Sequence, residues 1–208
     1  MQRSRVPLHL KLAFITIGGA EEAYLADRNF GRYATIVRIT SAADRDLIAA
    51  TLRNQPGSNG TLATLKGLAL QIEAQTIVQS SGHVDVESES FGPSTPVYNA
   101  ILSATSQGRR VRLIVSAQDL REDRGVEREA LAVLAGAGVA VHLGSSNAKL
   151  AVTDTSLWIG SSNSTAGYPD QIDWGRRIDD VATRRIIQDR FTQDWNDSVV
   201  GSVPDPHP

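Results

Sequence analysis

A lysine, a short apolar run and an asparagine in a polar turn occur together twice in this chain of 208 residues. The second copy lies within residues 144–163, GSSNAKLAVTDTSLWIGSSN, with Lys149, Asp154 and the turn Gly160, Ser161, Ser162, Asn163. The first copy opens the chain: His9-Leu10-Lys11 begins HLKLAFI, and Ala26-Asp27-Arg28-Asn29-Phe30 follows it. Aligned on the lysines, His9 matches Asn147, Thr16 matches Asp154, and Asn29 matches Asn163. The two starts are 147 − 9 = 138 residues apart, the length of a lobe. An internal repeat of this kind constrains the fold more than either motif alone.

A strand alternates its faces, so Asn147 and Lys149 point the same way. The Gly-Ser turn can bring Asn163 beside that lysine, pairing a charged donor with an amide donor, a set that suits a phosphate oxygen. Taken singly, the same stretch also reads as a surface hairpin with a solvated lysine. The second copy favours the site.

The remaining pattern is α/β. Residues 8–17 and 22–26 read as a hairpin, 35–39 as a further strand, and 41–53 as a helix capped by Ser41 with Leu47, Ile48 and Leu52 on one stripe. Residues 55–60, QPGSNG, read as a linker. Apolar spacing over 61–79 predicts a helix bridging two lobes. From residue 83 strands (83–87, 110–115, 139–143) alternate with helices (97–106, 127–135), which implies a largely parallel sheet with right-handed crossovers. Residues 173–178 read as another strand, and 181–199 as a long helix with Ile186, Ile187, Phe191 and Trp195 toward the core. The tail from Gly201 is expected to be disordered.

The motif layout resembles the phospholipase D superfamily signature, HxK, four residues, D, then GSxN, present twice around one active site. The resemblance covers roughly residues 8–31 and 82–197 and implies a phospholipase D-like mixed sheet flanked by helices. It divides the chain into a remnant of a first lobe with the bridging helix (1–80), a complete second lobe (81–200) and a tail (201–208). Family members carry strands and helices before the first motif, and only eight residues precede it here. A fragment, a misplaced start or a lobe completed by another chain is the expectation, with exposed apolar edges and a tendency to associate.

By this resemblance His9 is the nucleophile that forms a phosphohistidine. Lys11, Asn29, Lys149 and Asn163 are the phosphate clamp, with Ser161 and Asp27 beside it, and Asp154 orients or balances the site. No metal or other cofactor is implied. The degenerate positions are Asn147, which has no proton to give as a general acid, and Thr16, which supplies no charge for an imidazolium. His142 is open to two readings, a substitute acid or a core residue, and His83 is an exposed strand end. Glu87 and Glu89 either line the cleft or end a strand in solvent. Asp170, Asp173 and Trp174 either shape substrate access or, for Trp174, pack. Arg109, Arg110 and Arg112 either meet phosphate or form a solvated face diluted by Asp119, Glu122 and Asp123.

Net charge is −2 and no basic-aromatic interleaving is present, so a nucleic-acid partner is not favoured. With no cysteine, disulfides and thiolate metal sites are excluded. No apolar run reaches membrane-span length. Residues 2–5 followed by 12–20 faintly resemble a signal peptide that His9 and Lys11 interrupt. Cytoplasmic location is the default. The expected function is phospholipase D-like phosphodiester hydrolysis or phosphatidyl transfer, impaired by the two departures. The alternatives are a non-catalytic protein binding phosphate or a second lobe, including one from a homodimer, and an unrelated α/β binding domain if the motifs do not converge.

Overall fold

The computed structural model describes residues 10–17, 20–27, 34–122, 125–145 and 147–200. His9 and Asn29 lie outside them, as do Arg28, Phe30, Asp123 and the tail from Gly201.

Strands β1 (Leu12–Ile17), β2 (Ala20–Ala26) and β3 (Ile36–Ile39) form an antiparallel sheet in that order. Helix α1 (Ala42–Leu52) follows, its first turn capped by Ser41 Oγ accepting from Asp44 N at 3.4 Å. Within it Ile48 is buried, but Leu52, expected on the same stripe, is 56% exposed in the last turn.

The second sheet draws on the rest of the chain. Its elements are β4 (Leu62–Leu65), α2 (Lys66–Val78), β5 (His83–Ser88), α3 (Pro96–Ser106), β6 (Arg110–Ser116), α4 (Ala117–Glu122), α5 (Val126–Gly136) and β7 (Ala140–Gly144). They continue with β8 (Leu150–Thr153), β9 (Leu157–Gly160), β10 (Ile172–Ile178), α6 (Val181–Asp197) and β11 (Val199–Val200). The strand order is β11-β7-β6-β5-β8-β9-β10-β4, with β5, β6 and β7 parallel and β8 antiparallel to β5. Thr95 and Pro96 start α3, while Gly108 and Gly138, at φ +77° and +101°, turn the chain out of α3 and α5 where a side chain would be strained. Among the described residues, no helix is long and apolar enough to cross a membrane.

Residues 61–79 are not one helix. Leu62, Ala63 and Thr64 are wholly buried in β4, which pairs antiparallel with β10 (Leu62 opposite Arg176, Ala63 opposite Gly175). Backbone partners along β10 outweigh the helical spacing of the leucines. Helix α2, expected to bridge two lobes, instead packs on β4, β8, β9, β10 and α3. Strand β5 is buried from Val84 onward because helices cover both sheet faces, so its alternation does not mark a solvent side. In α6, Ile187 and Phe191 are buried, whereas Ile186 is 67% exposed.

The first sheet repeats the end of the second. Leu12, Ala13 and Phe14 of β1 face Leu25, Tyr24 and Ala23, as Leu150, Ala151 and Val152 of β8 face Ile159, Trp158 and Leu157. Ile36 to Ile39 pair with β2 as Gly175 to Ile178 pair with β9. Each third strand leads, two residues on, into a capped helix at Ser41 or Asp180. The sheets share a core of Ala23, Leu25, Ile39, Ile48, Leu62, Ile159 and Trp174, and Trp174 Nε1 donates to Ala26 O at 2.9 Å. Truncating this buried indole would cost about 3–5 kcal/mol.

Candidate active site

The site forms where the two motif copies meet, beyond the C-terminal ends of the parallel strands. The carbonyl of Lys149 accepts from Gly160 N at 3.1 Å, and that of Lys11 accepts from Ala26 N at 3.0 Å. Ser161 N donates to Trp174 O at 2.9 Å, and Asp27 N to Thr35 O at 3.2 Å. In the return direction, Trp174 N donates to Ser161 Oγ at 3.2 Å and Thr35 N to Asp27 Oδ1 at 2.8 Å. Lys11 and Lys149 thus begin equivalent strands, with Asp27 in the place of Ser161.

Lys149 is buried, and its Nζ donates to Glu89 Oε2 at 2.8 Å and to Asn147 O at 3.2 Å. Asn163 Nδ2 reaches the same Glu89 oxygen at 3.4 Å, while Asn163 Oδ1 has no hydrogen-bond partner among the described residues. Strand β5 places Glu89 there, because its antiparallel register sets Glu87 opposite Leu150 and carries the next residues toward Lys149. Lys11 is half-buried. Burial lowers its ammonium to about 8, aided by the charge of Lys149 and opposed by Asp173, Glu89 and Asp27. The two lysines are therefore within electrostatic reach of each other, flanked by three carboxylates.

Other expected residues take different tasks. Asp154 is not in the clamp. It lies beyond the far end of β8, accepting from Ser80 Oγ at 2.5 Å, Ser81 Oγ at 2.6 Å and Ser81 N at 3.1 Å. Burial pushes its carboxyl up, but these bonds and the Gly82 N–H outweigh that and hold it well below the usual carboxylate range. Ser161 is wholly buried and its hydroxyl donates to Asp173, so it braces the turn rather than facing a ligand. Asn147 is exposed. Thr16 lies in β1 opposite Glu21.

His142 stacks on Trp195 at 3.6 Å with Nδ1 2.8 Å from Ser198 Oγ. It sits on β7, three strands and so about 14 Å across the sheet from β8, too far to serve as the acid. His83, at the start of β5, meets Gln188 Oε1 at 2.9 Å at the end of the sheet away from Lys149. Arg112 is neither solvated nor free for phosphate: it makes two 2.7 Å bonds to buried Asp85 and lies 5.0 and 5.1 Å over the Phe191 and Trp195 rings. Arg109 donates to the carbonyls of Ile77 and Val78 at the end of α2, and Arg110 is exposed. Trp174 is wholly buried and does not line an access path; Asp170 is exposed.

Two residues absent from the sequence-based set support the turn from behind. Lys66 Nζ donates to Thr165 Oγ1 and Gly167 O, both at 2.8 Å, and burial lowers its ammonium against the pull of Asp173. Glu73 is buried in α2, where burial raises its carboxyl well above the ordinary value against a hydrogen bond from Ser164. They are seven residues apart, two turns of one helix, and a charged pair on an otherwise apolar helix face is the signal that would have found them.

Two lysine-bearing strand hairpins with matching hydrogen bonds at their lysine ends, beside a mixed sheet layered with helices, are the architecture of a phospholipase D-like protein. The sequence profile described as "Cardiolipin synthase, PLD-like domain" matches residues 74–195, and the chain belongs to that phospholipase D-like family. No curated protein sequence matches the chain. Among solved structures it is similar to Nuc from Salmonella typhimurium, a phospholipase D family member, at 15% identity and TM-score 0.55, over 61% of this chain and 86% of that one. NucT from Helicobacter pylori is similar at 19% identity and TM-score 0.59, over 68% and 98%. Phosphatidylserine synthase from Haemophilus influenzae Rd KW20 is similar at 12% identity and TM-score 0.62, over 93% of this chain and 63% of that one. At these identities the likeness is one of fold.

Proposed function

We propose that the chain is a phospholipase D-type phosphodiesterase or phosphatidyltransferase that works through a phosphohistidine at His9. The observation that supports the reading is the seating of the two matched hairpins on one core, tied by the Trp174 Nε1–Ala26 O bond at 2.9 Å, with Lys149 buried at the head of one hairpin and Lys11 at the head of the other. Two ammonium groups with the Asn163 amide make a pocket for the non-bridging oxygens of a diester, where they gain strength as charge shifts in the transition state. In the first step a His9 nitrogen bonds to phosphorus, the P–O bond to the leaving alcohol breaks, and that oxygen takes a proton. In the second, water or an acceptor alcohol attacks phosphorus, the P–N bond breaks, and His9 is restored.

Asn147 supplies no proton, so turnover of substrates with poor leaving groups is slowed by about 10²–10⁴-fold unless another group donates. That deficit, with Glu89 seated on Lys149, supports the second reading, a protein that binds phosphate groups without turnover. Hydrolysis of bis-p-nitrophenyl phosphate by the parent, His9→Ala and Asn147→His forms separates the two. Parent turnover abolished by His9→Ala supports the phosphohistidine route. Three folded but silent proteins contradict it and leave the binding role.

A further inference from the structure

Glu89 has no part in the chemistry just described, yet its carboxylate stands in the middle of the clamp. One oxygen, Oε2, takes hydrogen bonds from Lys149 Nζ at 2.8 Å and Asn163 Nδ2 at 3.4 Å. Those are the two donors assigned to a phosphate oxygen, and a carboxylate oxygen held between them occupies the seat that oxygen would take. The other acceptor on Lys149 Nζ is the backbone carbonyl of Asn147, so Glu89 shares its ammonium with the half-site that has no histidine. The Glu89 side chain is about a quarter exposed, so protons can reach it and it has room to move aside.

We propose that Glu89 is the proton-transfer group of the Asn147 half-site: a diester anion displaces it from Lys149 and Asn163, it takes up a proton, and it then protonates the leaving oxygen. The inference rests on the reading of Lys11 and Lys149 as a phosphate clamp.

The electrostatics run in one direction. The charges facing the carboxylate are Lys149, in contact, and Lys11, on which the charges of Asp173 and Asp27 also act, with Asp119 bonded to the neighbouring Ser90. A bound diester withdraws the Lys149 contact and sets a like charge against the carboxylate, and both changes favour the neutral acid. The proton is then conserved through the cycle. Carboxyl O–H gives it to the leaving alkoxide oxygen as the His9–P bond forms and the P–O bond breaks. The resulting carboxylate takes one from the water that attacks phosphorus as the P–N bond breaks.

The test is calorimetric titration of the full chain with dimethyl phosphate, a diester anion that does not itself titrate near neutrality. It is run at about pH 6.5, where Lys11 remains charged, with His9→Ala in every form compared so that no imidazole takes up a proton, in two buffers of different ionisation heat. The expected result is net uptake of a proton, approaching about one per site, in the parent. Glu89→Gln should bind about tenfold more tightly and take up none, because the competing charge is gone. Glu89→Asp, which keeps the carboxylate, should retain the uptake. Binding without uptake in the parent, or uptake that persists in Glu89→Gln, overturns the assignment and leaves the clamp standing. Absence of dimethyl phosphate binding in parent and variant alike overturns the clamp reading and this inference with it. The parent titration decides even if Glu89→Gln does not fold.

Discussion

Lys149 precedes the first residue of β8 and Asp154 follows its last, so the two charged groups of one motif act at opposite ends of one strand. The four residues of β8 between them span about 16 Å from Lys149 to Asp154. Lys149 holds Glu89, whereas Asp154 ties the loop before β5 to the end of β8 through Ser80 and Ser81.

That separation predicts a split phenotype for Asp154→Ala. Loss of its hydrogen bonds should cost about 1–3 kcal/mol in chemical denaturation, while the affinity for dimethyl phosphate stays within about twofold. The folded carboxyl is held below its unfolded value, so its contribution is present above the ordinary carboxylate range and is lost as pH falls through it. The stability difference between parent and variant should accordingly shrink in acid, measured by urea denaturation across pH.

Lys11 predicts an alkaline limit on binding. Its ammonium titrates at about 8 in the folded protein, so the charge that holds phosphate is lost above that pH. Dimethyl phosphate affinity should fall about tenfold per unit once the pH exceeds this value. For stability the sign is reversed. From about pH 8 up to the ordinary lysine value the unfolded chain holds the proton that the folded chain has released, so Lys11 makes folding more favourable as pH rises through that window. Lys11→Met should flatten both profiles.

Gly160 and Gly175 lie beneath the ring of Trp158. A Cβ at Gly160 would come 2.3 Å from Trp174 O, and one at Gly175 2.5 Å from Trp158 Cζ2. Gly160→Ala should therefore destabilise the fold by about 1–3 kcal/mol or more, read from the midpoint of urea unfolding. In the first copy the equivalent positions are Ala26 and Ile36, and Tyr24 takes the place of the larger indole.

Lys66 holds the loop after the Gly-Ser turn through Thr165 and Gly167. Lys66→Met leaves the Gly167 carbonyl without that donor and loosens the Asn163 support. Dimethyl phosphate affinity should drop about three- to tenfold, in calorimetry, with the secondary structure by circular dichroism unchanged.

The lysines, the Gly-Ser-Ser-Asn turn and the alternation of strands with helices were legible because each is local: a spacing, a period or a cap. The pairing of β4 with β10 was not, since Leu62 to Leu65 carry helix-compatible spacing and only a strand more than a hundred residues away makes them extended. Asp154 was misplaced for the opposite reason. Its distance in sequence from Lys149 is short, but the four extended residues of β8 carry it to the opposite end of the strand. Glu89 was visible as one of two candidate cleft residues, and the antiparallel register of β5 on β8 is what selects it.

The central claim is that Lys11 and Lys149 serve one ligand, and dimethyl phosphate binding to the parent, Lys11→Met, Lys149→Met and the double variant tests it most directly. A shared site predicts a loss of about tenfold or more for each single change, and a loss in the double variant smaller than the product of the two. Parent-like affinity in Lys11→Met, with the fold intact, would contradict it.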